Sequence, residues 1–244
     1  MPEAKQETES LRGRLEEVRR RIETSARRAG RDPSEITLIV VTKTHPAQVL
    51  REALAAGAHD FGENRVQEAD QKIAELSVDG DGVRWHLIGH LQANKARRAV
   101  RIFDCVHSVD STELVGRLER LCVEEKRESL DVLAQIDLAG EATKSGAHVD
   151  EVPALVACLN ECERLRFRGL MVLPPFHEDA ELTRPFFRRL RELRDELRAR
   201  GVFRDNAGEL SMGMSHDFET AIEEGATMVR VGTAIFGARA RPVS

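Results

Sequence analysis

The sequence predicts an α/β protein, a single (β/α)8 barrel, on three observations. Eight strand-like apolar runs alternate strictly with helical patterns along the chain, and such alternation implies a parallel sheet with helix crossovers. The connectors are mostly two to six residues long, with no Pro/Ser-rich linker or low-complexity stretch to divide the chain. The length of 244 residues matches eight β/α units closed into one ring, so residues 1–244 read as one domain.

The elements follow in order. Residues 8–29 place Leu11, Leu15, Val18 and Ile22 at helical spacing among Arg and Glu, an amphipathic N-terminal helix ahead of the first strand. Gly30 and Pro33 end it. The strand-like runs are 36–42, 59–62, 84–89, 103–108, 131–137, 166–172, 208–211 and 227–231. Helical patterns lie between them near 46–57, 63–76, 92–100, 111–127, 148–163, 179–200 and 216–224. The first run, "LIVV", is unbroken and rich in β-branched residues, as a strand covered on both faces requires. A doubly wound open sheet is the competing topology. It would need a glycine-rich turn after the first strand, where this chain has "TKTHP". The segment "RPFFRRLRELRDELRAR" reads as an ordinary outer helix laced by i, i+4 ion pairs.

Composition excludes several classes. The net charge is −5, and basic and acidic residues interleave, which leaves no basic face for nucleic acid. No apolar run approaches the roughly 18 residues of a membrane span, and a cytoplasmic location is expected. Cys105, Cys122, Cys158 and Cys162 lack paired metal-site spacing, so they are expected as free thiols.

Lys43 carries the first chemical signal. The chain holds six lysines against 31 arginines, so a lysine at the end of a buried strand invites a reason that arginine could not serve. A lysine amine can be desolvated, lose its proton and attack a carbonyl. In a barrel of this kind the reacting groups sit at the C-terminal ends of the strands, and a phosphate often binds after strands 7 and 8. Those two places hold "SMGMSHDFETA" and "VRVGTAIFG". Ser215 is expected at a helix start, where it is also an ordinary N-cap, and Gly232 and Thr233 lead into a terminal turn. Backbone amides at such starts favour an anion. An imine-forming lysine facing a phosphate cup suits pyridoxal 5'-phosphate. Arg230, inside the apolar strand "MVRVG", is the candidate partner for the pyridine nitrogen. Its alternative is a structural pair with a buried carboxylate, because an unpaired buried guanidinium is costly.

The stretches "VTKT", "FGENRVQE", "WHLIGHLQANK", "HSVDS", "EATKSG", "GLMVLP" and "SMGMSHDFETAIEEGATMVRVGTAIFG" together resemble the pyridoxal phosphate homeostasis protein family (the proline synthetase co-transcribed homologues). The resemblance implies a barrel similar to the N-terminal domain of alanine racemase, with pyridoxal phosphate held as a Schiff base on Lys43. It implies phosphate contacts from Ser215, Gly232 and Thr233, with Arg230 at the ring nitrogen and Asn64 and Met212 near the ring. It further implies a monomer that carries or buffers the cofactor without established turnover, with apo forms of cofactor-dependent enzymes as recipients. Amino-acid racemisation or decarboxylation on the same barrel is the alternative. Racemisation needs a base on each face of the cofactor, and the related racemases take one from a tyrosine in a second domain. This chain has no tyrosine and is expected to lack that domain. Two positions depart from the family pattern: Arg65, where an aromatic is frequent, and Asp137, where asparagine is expected and a carboxylate would alter the charge near the mouth.

Other candidates have plainer readings. His86 and His90 are four apart but fall on a strand and its exit, so a metal pair is not expected. His86 reads as a structural histidine and His90 as a residue of the mouth. Glu63 reads as a helix cap, and Lys144 as a solvated rim charge.

Overall fold

A computed structural model describes residues 10–76, 82–140, 145–203 and 207–237. Its eight barrel strands are β1 (Thr37–Val41), β2 (Asp60–Glu63), β3 (Arg84–Leu87), β4 (Cys105–Val109), β5 (Leu130–Asp137), β6 (Leu165–Met171), β7 (Glu209–Ser211) and β8 (Met228–Val231). Each pairs in parallel with its sequence neighbours, and β1 pairs with β8 from Thr37↔Met228 to Val40↔Val231, which closes the ring. A two-residue strand, Ala147–His148, adds to the end of β5 outside the ring. The helices after successive strands are α2 (Ala47–Ala55), α3 (Val66–Leu76), α4 (Ala96–Ile102), α5 (Thr112–Glu124), α6 (Val152–Glu161), α7 (Arg184–Ala199), α8 (Phe218–Glu223) and α9 (Thr233–Phe236).

The expected N-terminal helix is α1 (Leu11–Arg28), and residues 8 and 9 of its expected span lie outside the described residues. Ser10 caps it by accepting from the Gly13 amide at 3.2 Å. Its apolar stripe of Leu15, Val18, Ile22 and Ala26 is buried across α2, α8 and α9. The arginines of the same region fasten that contact. Arg21 forks onto Glu219, and Arg31, just past the helix, donates to the carbonyls of Ile222 and Ala226. The helix thereby lies over the seam where first and last strands meet.

Period-two alternation sorts the strand residues into two compartments. Val40, Phe61, Val106, Leu170 and Val229 join the large core under the helices. Ile39, Cys105, Leu133, Met171 and Met228 form a small apolar core inside the barrel. Above that core the same inward parity brings Val41, Ile88, Leu173 and Arg230 to the C-terminal mouth. All four cysteines are free, Cys105 and Cys122 fully buried and Cys158 and Cys162 half-buried.

Candidate functional site

A cavity of about 500 Å³ opens at the C-terminal ends of the strands. Val41, Ile88, Leu173, Phe176 and Met214 make its apolar wall, and Lys43, Asn64, Ser215, His216, Arg230, Gly232 and Thr233 its polar one. Six of the seven residues expected at a cofactor site are therefore brought together on one surface. Lys43 stands two residues past β1, after Thr42, on a turn closed by the His45 amide donating to the Thr42 carbonyl at 3.0 Å.

Met212 is the exception. Its neighbour Ser211 points into the barrel, where it bonds to Arg230 and His107. Alternation then turns Met212 outward, into the core beneath the helices. Met214, two residues on, takes the place at the cavity wall.

Ser215 is also placed differently from its expected role. Helix α8 begins at Phe218 with Asp217 in the N-cap position, and Asp217 accepts from the Met214 amide at 2.6 Å. The Ser215 hydroxyl instead reaches the last helix, accepting from the amides of Gly232 at 3.1 Å and Ala234 at 3.4 Å. It ties the loop after β7 to the loop after β8. Gly213 makes the approach feasible: its φ is +89°, and a Cβ there would lie 2.6 Å from the Ala221 side chain. Gly89 does the same for Asn64, whose carbonyl oxygen would meet an added Cβ at 2.4 Å.

Arg230 is fully buried and donates to the Ser211 hydroxyl at 2.6 Å and the Val172 carbonyl at 2.9 Å. These partners are neutral, so the expected alternative of a direct carboxylate pair is not what holds it. Burial lowers its pKa to about 10, with the Asp217 charge opposing the shift. It stays charged at neutral pH.

Behind Arg230 a chain of buried hydrogen bonds crosses the barrel. Ser211 Oγ lies 2.9 Å from His107 Nδ1, His107 Nε2 lies 3.0 Å from His86 Nδ1, and His86 Nε2 lies 2.9 Å from Asp60 Oδ1. The proton positions follow from bookkeeping. An ionised Asp60 only accepts, so His86 donates to it, His107 donates to His86, and Ser211 donates to His107. His107 is neutral in this arrangement, in keeping with the burial that disfavours its charged form. His86 is a satisfied structural histidine, as expected. His86, Cys105 and His107 bring ligand atoms within 4.8 Å of one another, but the ring nitrogens are engaged, burial pushes the Cys105 thiol well up, and charged Arg230 stands beside Ser211.

Burial, with His86 and Arg230 nearby, holds His107 well below the usual imidazole range of about 6.5. This gives a pH prediction. Below about pH 6.5 the unfolded chain takes up a proton that the folded protein does not, so stability falls as pH falls. The limiting slope is about 1.4 kcal/mol per pH unit for one proton. Urea midpoints measured from pH 7 to 5 should drop accordingly, and His107→Gln should flatten the part of the slope due to this residue. An identical slope in the variant would refute the assignment.

The remaining candidates are at the rim or outside the site. Asp137 folds onto its own turn, accepting from the amides of Ala139 and Gly140 at 2.9 and 3.0 Å, and does not line the cavity. Arg65 and His90 are exposed and line an adjacent groove that shares Asn64 with the cavity. Lys144 lies outside the described residues. Glu63 is not a helix cap. It is fully buried beneath α3, bonded to Lys72 at 2.6 Å and to the Thr42 hydroxyl at 2.5 Å. Lys72 itself was not singled out by the sequence. Burial raises the Glu63 carboxyl, opposed by the bonds from Lys72 and Thr42.

The family described as alanine racemase, N-terminal domain, matches residues 14–240. The chain is 44% identical over 231 residues to a pyridoxal phosphate homeostasis protein of Pseudomonas aeruginosa, covering 92% of this chain and 94% of that one. Among solved structures it is 41% identical to PipY of Synechococcus elongatus with PLP bound, with a TM-score of 0.82 over 93% of this chain and all of that one. Alanine racemase of Corynebacterium glutamicum shares the fold at 17% identity and a TM-score of 0.65, over 92% of this chain and 61% of that one. With a barrel closed strand for strand, and with relatives this similar along nearly its whole length, the chain belongs to the pyridoxal phosphate homeostasis proteins within the alanine racemase N-terminal domain family.

Proposed function

We propose that this protein binds pyridoxal 5'-phosphate at the barrel mouth as a Schiff base on Lys43, and carries or buffers the cofactor rather than turning amino acids over. The observation that carries the reading is the shared wall: an amine, a buried guanidinium and two hydroxyl-bearing loops line one cavity. The names of relatives at 35–44% identity and the PLP-bound PipY structure support it.

The residues present fit the group. Lys43 would supply the amine that holds the aldehyde end of the group, a role open to a lysine that can lose its proton and closed to arginine. Arg230 has five N–H donors. Two of them are used by Ser211 and Val172, and another would serve an acceptor nitrogen. Ser215 uses its lone pairs on two amides and keeps its own proton to donate to a phosphate oxygen. Thr233 supplies a second hydroxyl on the same wall. When bound, the cofactor supplies an aldehyde and an electron-poor ring. A charged donor at its nitrogen leaves that nitrogen unprotonated, which weakens the ring as an electron sink. Cofactor-dependent enzymes in their apo forms are the recipients this reading implies, in the cytoplasm. Among the described residues no helix is long and apolar enough to cross a membrane.

The enzyme alternative has a specific place to be tested. Besides Lys43 and Arg230, the titratable side chain on the cavity wall is His216, whose ring packs 4.7 Å from that of Phe176 and whose Nε2 lies 3.6 Å from Asp217 Oδ2. The purified protein is expected to show an imine absorbance that borohydride removes. Chiral chromatography of L-alanine incubated with the loaded protein should show no turnover above that of pyridoxal phosphate in buffer. Turnover that disappears in both Lys43→Ala and His216→Ala would replace the carrier reading with racemisation.

A further inference from the structure

The Lys43 turn is held from outside the cavity by a buried ion cluster. Lys72 on α3 is 5% exposed and Glu63 at the end of β2 is fully buried. The Lys72 ammonium contacts Glu63 Oε1 at 2.6 Å and Glu68 Oε1 at 2.7 Å. Its third bond, at 2.7 Å, goes to the carbonyl of Thr42. Glu63 accepts from the Thr42 hydroxyl, and Glu68 accepts from the Thr44 amide. The bonds that leave the cluster therefore end on residues 42 and 44, the two neighbours of Lys43.

Thr44 needs such restraint. Its φ is +69°, a left-handed conformation that is unfavourable for a residue with a Cβ and persists where the surroundings over-determine it. A buried ion cluster adds little net stability compared with apolar packing of the same volume, because desolvation offsets its Coulomb attraction. What this one supplies is a fixed geometry for the turn.

We infer that Lys72, acting through Glu63 and Glu68, is the positioning residue for the Lys43 amine. It holds the turn in the conformation from which that amine meets an aldehyde bound in the cavity. This rests on the reading that Lys43 forms the imine. Lys72 touches no ligand itself, and its effect falls on condensation rather than on recognition of the ring or the phosphate.

The test separates those two quantities. Lys72→Met alone would strand the Glu63 carboxylate in the core, so the variant is Lys72→Met with Glu63→Gln. Glu68→Ala, at the half-exposed edge of the cluster, is the second variant. Each is measured with pyridoxal 5'-phosphate and with pyridoxine 5'-phosphate, which has the ring and phosphate but an alcohol in place of the aldehyde. The expected result is imine formation slowed roughly ten- to a hundredfold, the scale of a misplaced reacting group, with pyridoxine 5'-phosphate affinity essentially unchanged. Equal losses for both ligands, or an unchanged imine rate in both variants, would overturn the proposal. Wild-type protein is reduced with borohydride and peptide-mapped alongside. Absence of the pyridoxyl mass from its Lys43 peptide would overturn the underlying reading, an outcome distinct from the variants' results.

Discussion

Lys43→Ala is expected to abolish covalent attachment of pyridoxal phosphate while leaving the protein folded. The side chain stands past the last residue of β1, at the cavity wall and outside both apolar cores. The change in folding stability should therefore be within about 1 kcal/mol. Borohydride treatment followed by peptide mass mapping should place the pyridoxyl group on the Lys43 peptide of the wild type and on no peptide of the variant. Residual weak binding through Arg230, Ser215 and Thr233 should remain, without the imine absorbance. A pyridoxyl mass on the Lys95 or Lys144 peptide, retained in the variant, would move the attachment elsewhere.

The second large effect is expected at the phosphate. Ser215→Ala combined with Thr233→Val should weaken pyridoxal phosphate far more than pyridoxal. A hydrogen bond from a hydroxyl to a charged oxygen contributes about 1.5–3 kcal/mol, so the pair corresponds to roughly a 10²- to 10⁴-fold loss. The comparison with pyridoxal is needed because Ser215 also satisfies the amides of Gly232 and Ala234. Losing that tie loosens the loops for either ligand. The ratio of the two affinity losses isolates the phosphate contribution, and a ratio near one would place the phosphate at another part of the wall.

The barrel was legible in the sequence because its strands are apolar and β-branched and its helices carry clear 3.6-residue patterns, the two periods that backbone geometry imposes. Lys43 was legible because it interrupts such a run at its end. Finer placements depended on contacts that periodicity does not encode. Ser215 looked like a helix start because a serine preceded acidic residues. Its hydroxyl is drawn instead to the amides at the start of α9, and Asp217 serves the Met214 turn. The place near the ring that the family resemblance implies for Met212 has no check in the sequence pattern, because the strand before it has three residues, too few to show which parity faces inward. Ser211 decides that through Arg230. Glu63 reads as a helix cap because it directly precedes a helical pattern, and Lys72 draws no notice because a lysine near glutamates on an amphipathic helix looks like a solvated face. The scarcity of lysine that drew notice to Lys43 also applied to Lys72, and its i, i+4 relation to Glu68 was visible. The strand Ala147–His148 is too short to leave a pattern.

The pairing of β1 with β8 joins residues roughly 190 positions apart, and this has a consequence for how the chain is born. At about 5–20 residues per second of synthesis, the first strand leaves the ribosome roughly 10–40 s before its second hydrogen-bonding neighbour exists. During that interval "LIVV" is an unpaired apolar edge, the kind of surface that chaperones hold and that aggregates when they do not. Lys43 emerges early, whereas Ser215, Arg230 and Thr233 emerge near the end. The cavity therefore comes into being only when the ring shuts, and uptake of the ligand in a translation reaction would time the moment of closure.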